Sequence, residues 1–132
     1  MILGIGVDII ENKRIKSLIK NKKFINRVYS KNEKLISNTT KNKINYFAKR
    51  FAAKEAFSKA LGTGIGRGIN FKEVSVKNDK FGKPYYELNT YVKKAIFLSY
   101  KVKKFKIFLS LADEKKYSIA FSVIQIWLVK NL

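Results

Sequence analysis

The sequence contains no cysteine and no histidine. Without cysteine there can be neither disulfides nor thiolate-bound metals. Without histidine, Ser-His-Asp catalysis, His-ligated zinc and imidazole acid/base chemistry are excluded. Any metal must therefore be held by oxygen, which favours magnesium, calcium or manganese. Proline occurs once, and acidic residues only nine times. No apolar run reaches the length that spans a bilayer; the longest, near the C-terminus, is broken by Gln125 and several serines. The N-terminus has no basic stretch ahead of its apolar residues and no small-residue cleavage site. No signal peptide is expected, and the default expectation is a cytoplasmic protein.

The chain has 132 residues, enough for one domain with its own core. With 46% apolar and 14% aromatic residues it should be folded. Its formal charge is +20, from 29 Lys and Arg against 9 Asp and Glu. Such a field attracts polyanions: nucleic acid, anionic membranes, phosphorylated cofactors or an acidic protein. Most of the cations are lysines mixed with asparagine and isoleucine, a composition that AT-rich coding also produces. On composition alone the rival class is a basic nucleic-acid-binding domain. Against it, Phe47, Phe51, Phe57, Phe108 and Phe121 fall mostly on predicted core faces, not on an open basic sheet where bases could stack.

Residues 2–10 read as a strand. Leu3, Ile5, Val7 and Ile9 point one way; Ile2, Gly4, Gly6, Asp8 and Ile10 point the other. The two glycines share the face of Asp8 and leave an open floor beside it, where a ligand or a neighbouring backbone could approach. Asn12 is placed to cap a helix beginning near Lys13, with Ile15, Leu18 and Ile19 as its apolar stripe. Residues 24–36 read as one further helix, and 37–45 as a polar connection. The strongest helix covers 46–62: it is alanine-rich, has no proline or internal glycine, and closes on Gly62. Its apolar positions cover more than half its circumference, so protein should wrap it on most sides. A glycine-dense loop (62–68), a hairpin over 71–88, a helix over 90–100 and two strands, 104–111 and 117–129, complete an α+β reading of one domain, residues 1–132.

Seven of the nine carboxylates fall at strand ends, turns or lysine-rich faces. Asp8, inside the first strand, and Glu55, mid-way along the wrapped helix, do not. An ionised carboxylate in a core must be paired or bound to metal. Two such acids and no histidine suggest a shared oxygen-ligated cation, most plausibly magnesium, whose open positions substrate phosphates commonly complete. Phe51, Glu55 and Lys59 lie at i, i+4 and i+8, which puts Lys59 one turn beyond Glu55 and beside the glycine loop. A lysine and loop amides beside a metal make a pyrophosphate cradle. Taken singly these signals are weak. The i,i+4 pair is commonly a surface pair, the glycines match neither a P-loop nor a dinucleotide fingerprint, and Asp8 could be protonated or bridged to Arg14.

Three longer stretches carry a resemblance: "GIGVDIIENKRI" (4–15), "RFAAKEAFSKALGTGIG" (50–66) and "FGKPYYEL" (81–88). Together they resemble the small bacterial class of 4′-phosphopantetheinyl transferases, the holo-[acyl-carrier-protein] synthases, over nearly the whole chain. The resemblance implies that family's fold, a small antiparallel sheet wrapped around a long central helix and assembled as a homotrimer. It implies transfer of the phosphopantetheine arm of coenzyme A to a serine of an acidic apo acyl carrier protein. Magnesium would sit on Asp8 and Glu55, which with Lys59 form the implied catalytic set. Lys59, Gly62 and Gly64 match positions near the cofactor phosphates, and Gly82, Lys83 and Pro84 the turn at its adenosine end. Arg14 and neighbouring basic residues match the carrier-receiving surface; neither a membrane span nor nucleic acid is expected. The nucleophile belongs to the partner, so none need be found here. One departure stands out: where the family commonly reads Ser-x-Ser-His, this chain has Ala112 and Asp113 in the last two places. The serine proton must then go to Glu55 through a water or to a water on the metal, Asp113 being a further polar group there. A carrier-binding protein with altered catalysis is the remaining alternative.

Overall fold

The protein is described here as a computed structural model over residues 1–62 and 69–129. β1 (Ile2–Glu11) leads directly into three short helices, α1 (Asn12–Leu18), α2 (Lys22–Val28) and α3 (Lys31–Ser37). The long helix α4 (Lys43–Leu61) follows, then a 3-10 turn (Phe71–Glu73), the hairpin β2 (Val74–Asn78) and β3 (Pro84–Leu88), and α5 (Thr90–Tyr100). β4 (Val102–Asp113) and β5 (Tyr117–Leu128) close the chain. The strands form an antiparallel three-stranded sheet in the order β1-β5-β4 and a separate two-stranded sheet, β2-β3. Helix α4 lies across the large sheet, and its Ala48, Ala52, Ala53, Ala56, Phe57 and Ala60 are buried.

Small residues on both elements let α4 come down onto β1. A Cβ built on Gly4 would stand 2.0 Å from the Ala60 carbonyl oxygen, and one on Gly6 1.9 Å from that of Ala56. No side chain fits at either position. Of the two occupants open for the floor beside Asp8, the structure selects the backbone of the helix.

Three expectations need correction. Asn12 does not cap α1; it is buried, and its amide donates to the carbonyls of Glu114 (3.0 Å) and Lys115 (3.2 Å) while its Oδ1 accepts from Ser118 Oγ (2.7 Å). The demand of the β4–β5 turn for buried partners outweighs the local cap. The single helix over 24–36 is broken at Tyr29 and Ser30, because Ser30 and Glu33 form a reciprocal capping box that restarts the chain as α3. Phe108 and Phe121 are not core residues. They lie 41% and 43% exposed on the outer face of the large sheet with Ile5, Val7, Ile9 and Ile119.

Glu33 joins the partly buried Asp8 and Glu55 as a third acid withdrawn from the surface. It is fully buried and meets the equally buried Lys54 at 2.9 Å. Every contact is complemented: Glu33 accepts from the Ser30 and Val76 amides, both at 2.8 Å, and Lys54 donates to the carbonyls of Phe71 (2.9 Å) and Val74 (2.7 Å). The pair thereby bolts α3, α4 and β2 together. Burial makes Lys54 easier to deprotonate than a free lysine, and the Glu33 carboxylate opposes that. Removing one partner strands the other charge in the core. Lys54→Met should therefore cost about 3–5 kcal/mol of stability in urea unfolding, and a loss below about 1 kcal/mol would show that the pair is not structural.

Candidate active site

Asp8 projects from the inner face of β1, two residues beyond Gly6, and its side chain keeps 17% of its exposure. Lys59 comes to it from the last turn of α4: its Nζ donates to Asp8 Oδ1 at 3.2 Å and to the Val7 carbonyl at 3.0 Å. Helical side chains lean toward the helix N-terminus. A lysine at the level of Gly4 thus reaches back along the strand to Asp8. Glu55, one turn earlier on the same helix face, is half-buried.

The two acids feel one another. Desolvation raises the pKa of Asp8, against the hydrogen bond and charge of Lys59 and the charge of Arg14. Desolvation also raises that of Glu55, with the negative charge of Asp8 as the second cause and Lys59 and Arg14 opposing. Two carboxylates that resist ionisation together are a donor set to which a hard, oxygen-seeking cation is suited. Among the described residues no group of three or more acidic side chains collects anywhere. A cation held here would retain coordination positions for water or substrate oxygen.

The remaining anticipated residues surround this pair unevenly. Arg14 is exposed on α1, close enough to act on both carboxylates. Gly62 ends α4 at φ 76°, a left-handed cap whose amide bonds back to Ser58 and Lys59. Gly64 lies outside the described residues. Gly82 (φ 84°) and Lys83 lie in the turn between β2 and β3, and Pro84 opens β3. That turn is organised by Asp79, whose Oδ1 accepts from the Phe81 (2.8 Å) and Lys83 (2.9 Å) amides. Asp113 accepts from Asn45 at 2.8 Å and meets Lys49 at 3.4 Å, both on the first half of α4. Its charge is answered there, at the opposite half of the helix from Lys59.

Residues 4–122 match the 4'-phosphopantetheinyl transferase superfamily. The chain belongs to that superfamily. A holo-[acyl-carrier-protein] synthase of Pelagibacter ubique is 51% identical to it over 124 residues, 94% of this chain and 97% of that protein. The crystal structure of the holo-[acyl-carrier-protein] synthase from Neisseria meningitidis superposes with a TM-score of 0.86 at 37% identity, covering 95% of this chain and 99% of that one. The Bacillus anthracis synthase, solved in complex with CoA (3',5'-ADP), gives 0.79 at 36% identity over 96% and 98%. The α+β arrangement of helices and small antiparallel sheets is thus that of a transferase family.

Sequence reasoning missed Glu33, Lys54, Arg50 and Asn78. The Ser-x-x-Glu spacing of Ser30 and Glu33 was a usable signal; the mid-helix cations offered none, since lysine and arginine there ordinarily face water.

A raised carboxyl pKa means the folded state holds its proton more tightly than the unfolded chain. Stability from this source is full below the ordinary values of 3.8 and 4.5 and is lost as pH rises through the raised ones. Near neutrality, with divalent cations chelated, the two charges are a liability. Asp8→Asn should then raise Tm by about 2–4 °C, an advantage that shrinks toward pH 4. A lower Tm at neutral pH would mean that the carboxylate stabilises the fold.

Proposed function

We propose that this chain transfers the 4′-phosphopantetheine group from coenzyme A to a serine of an apo acyl carrier protein and releases adenosine 3′,5′-bisphosphate. Membership of the superfamily and the high identity to holo-[acyl-carrier-protein] synthases support that activity. The observation that carries the residue assignment is the meeting of Asp8, Glu55 and Lys59 where β1 crosses α4.

In this reading Asp8 and Glu55 hold magnesium. When bound, the ion neutralises charge on the pyrophosphate and on the departing phosphate. The carrier's serine oxygen bonds to the phosphorus bearing the pantetheine arm as the pyrophosphate P–O bond breaks. Lys59, more than half exposed and already within reach of Asp8, adds positive charge beside those phosphates. Glu55 would take the serine proton through a water. Gly62 brings the end of α4 close to the phosphates without a side chain in the way. Gly82, Lys83 and Pro84 receive the adenosine end. Arg14, with Lys13 and Lys16 beside it on α1 and Lys20 just beyond the end of the helix, offers the acidic carrier a cationic face.

Assembly as a homotrimer, with each coenzyme A in a cleft between protomers, belongs to the same proposal. It is supported by the outer sheet face, where Ile5, Val7 and Ile9 are 62%, 54% and 60% exposed beside Ile119, Phe121 and Phe108. A soluble chain seldom leaves so continuous an apolar patch bare. Among the described residues no helix is long and apolar enough to cross a membrane.

Incubation with apo carrier, coenzyme A and magnesium, followed by mass spectrometry of the carrier, tests the activity. The carrier should gain the phosphopantetheine mass. Asp8→Asn and Glu55→Gln should each lower the rate by about a hundredfold or more while circular dichroism stays native. A carrier that binds without gaining mass would identify an altered binder in place of an enzyme. In sedimentation the chain should run at about three times its 15.3 kDa, and Val7→Asp should reduce it to a folded, inactive monomer. A fully active monomer would remove the trimer from the proposal.

A further inference from the structure

Arg50 is a buried arginine on α4 that the chemistry above does not use. It is 5% exposed, and its guanidinium carbon lies 4.0 Å above the centre of the Tyr46 ring. One of its terminal nitrogens donates to Asn78 Oδ1, at the last position of β2. Asn78 in turn donates its side-chain amide to the Gly82 carbonyl at 2.9 Å. A continuous chain of hydrogen bonds therefore runs from the helix that carries Glu55 and Lys59 to the Gly82–Lys83–Pro84 turn.

Among the described residues, the other hydrogen bonds of the turn stay within the hairpin. Asp79 closes it internally, through its carboxylate and through backbone bonds to Lys83 and Gly82 at 2.9 Å each. Such bonds fix the shape of the turn and not its distance from α4. A planar guanidinium held by an aromatic ring is a rigid donor. An asparagine offers an acceptor to one side and a donor to the other, which is what a link between a donor and a carbonyl needs.

We infer that Asn78 is a positioning residue for coenzyme A: through Arg50 and Gly82 it sets the turn that receives the adenosine end at a fixed distance from the phosphate-handling residues of α4. This rests on assigning Gly82, Lys83 and Pro84 to the adenosine end. Losing the link frees the turn to sample other positions, and binding then has to select the competent one.

The test uses the full chain and the nucleotide 3′,5′-ADP, which carries the adenosine end without the pantetheine arm. Asn78→Ala should weaken 3′,5′-ADP about fivefold to tenfold by calorimetry. It should raise KM for coenzyme A similarly, with kcat at saturation within about twofold of wild type. Tyr86→Phe is the comparator. It removes the 2.6 Å bond from the Tyr86 hydroxyl to the Ala53 carbonyl, which also ties this hairpin to α4 but at a distance from the turn. It should lower Tm and leave 3′,5′-ADP affinity unchanged. If Asn78→Ala lowers Tm but binds 3′,5′-ADP as wild type does, or if Tyr86→Phe weakens it equally, the link is merely structural and the inference is overturned. If the wild-type chain transfers the pantetheine arm yet does not bind 3′,5′-ADP, the assignment of the turn fails, and the inference with it.

Discussion

The close approach of β1 to α4 is the constraint on which the rest depends. Two glycines on the strand meet the carbonyls of two alanines on the helix, and the gap at each admits no Cβ. Contact at backbone distance makes the relative position of strand and helix insensitive to side-chain packing elsewhere. Asp8 comes from the strand and Glu55 and Lys59 from the helix, so their spacing is inherited directly from that contact. A looser strand–helix pair, held by leucines, would place the same three residues but not hold them to the tolerance that phosphoryl transfer requires.

Helix α4 divides its polar residues by direction. Glu55 and Lys59, four apart, turn toward β1; Arg50 and Lys54, also four apart, turn toward the β2–β3 hairpin. The first pair stays partly hydrated, where its charges can meet a ligand. The second is desolvated and must be fully complemented within the protein, as Lys54 is by Glu33 and two carbonyls. One helix therefore supplies both the candidate reactive face and the fastening of the hairpin, and a shift along its axis would move both together.

Much of this was legible in the sequence. Alternation in the first strand put Asp8 and the glycines on one face, and the alanine run announced a helix that other elements could approach closely. The Gly62 cap followed from the same reading. What escaped it shares one physical cause: partners distant in sequence. Glu33 and Lys54 look like surface charges until α3 is folded onto α4. Asn12 has the composition of a cap and is claimed instead by a turn about a hundred residues later. Phe108 and Phe121 look like core because large aromatics usually are, yet they lie on the side of the sheet opposite α4. The reading of 24–36 as one helix failed for a local reason, since the capping box at Ser30 was present in the sequence and favours a restart over continuation.

Those outward aromatics would connect the proposed assembly to the chemistry. Strand side chains alternate strictly, so Val7 and Ile9 on the outer face flank Asp8 on the inner one. β1 is also an edge strand, paired on one side only, and an edge is the part of a sheet most free to bend or fray. Here the edge carries the candidate metal ligand. Apolar cover on Val7 and Ile9 would press the strand against α4 and resist fraying at Asp8 without touching it. A mutation on the outer face can then lower activity by loosening β1, even though its side chain points away from every residue of the site.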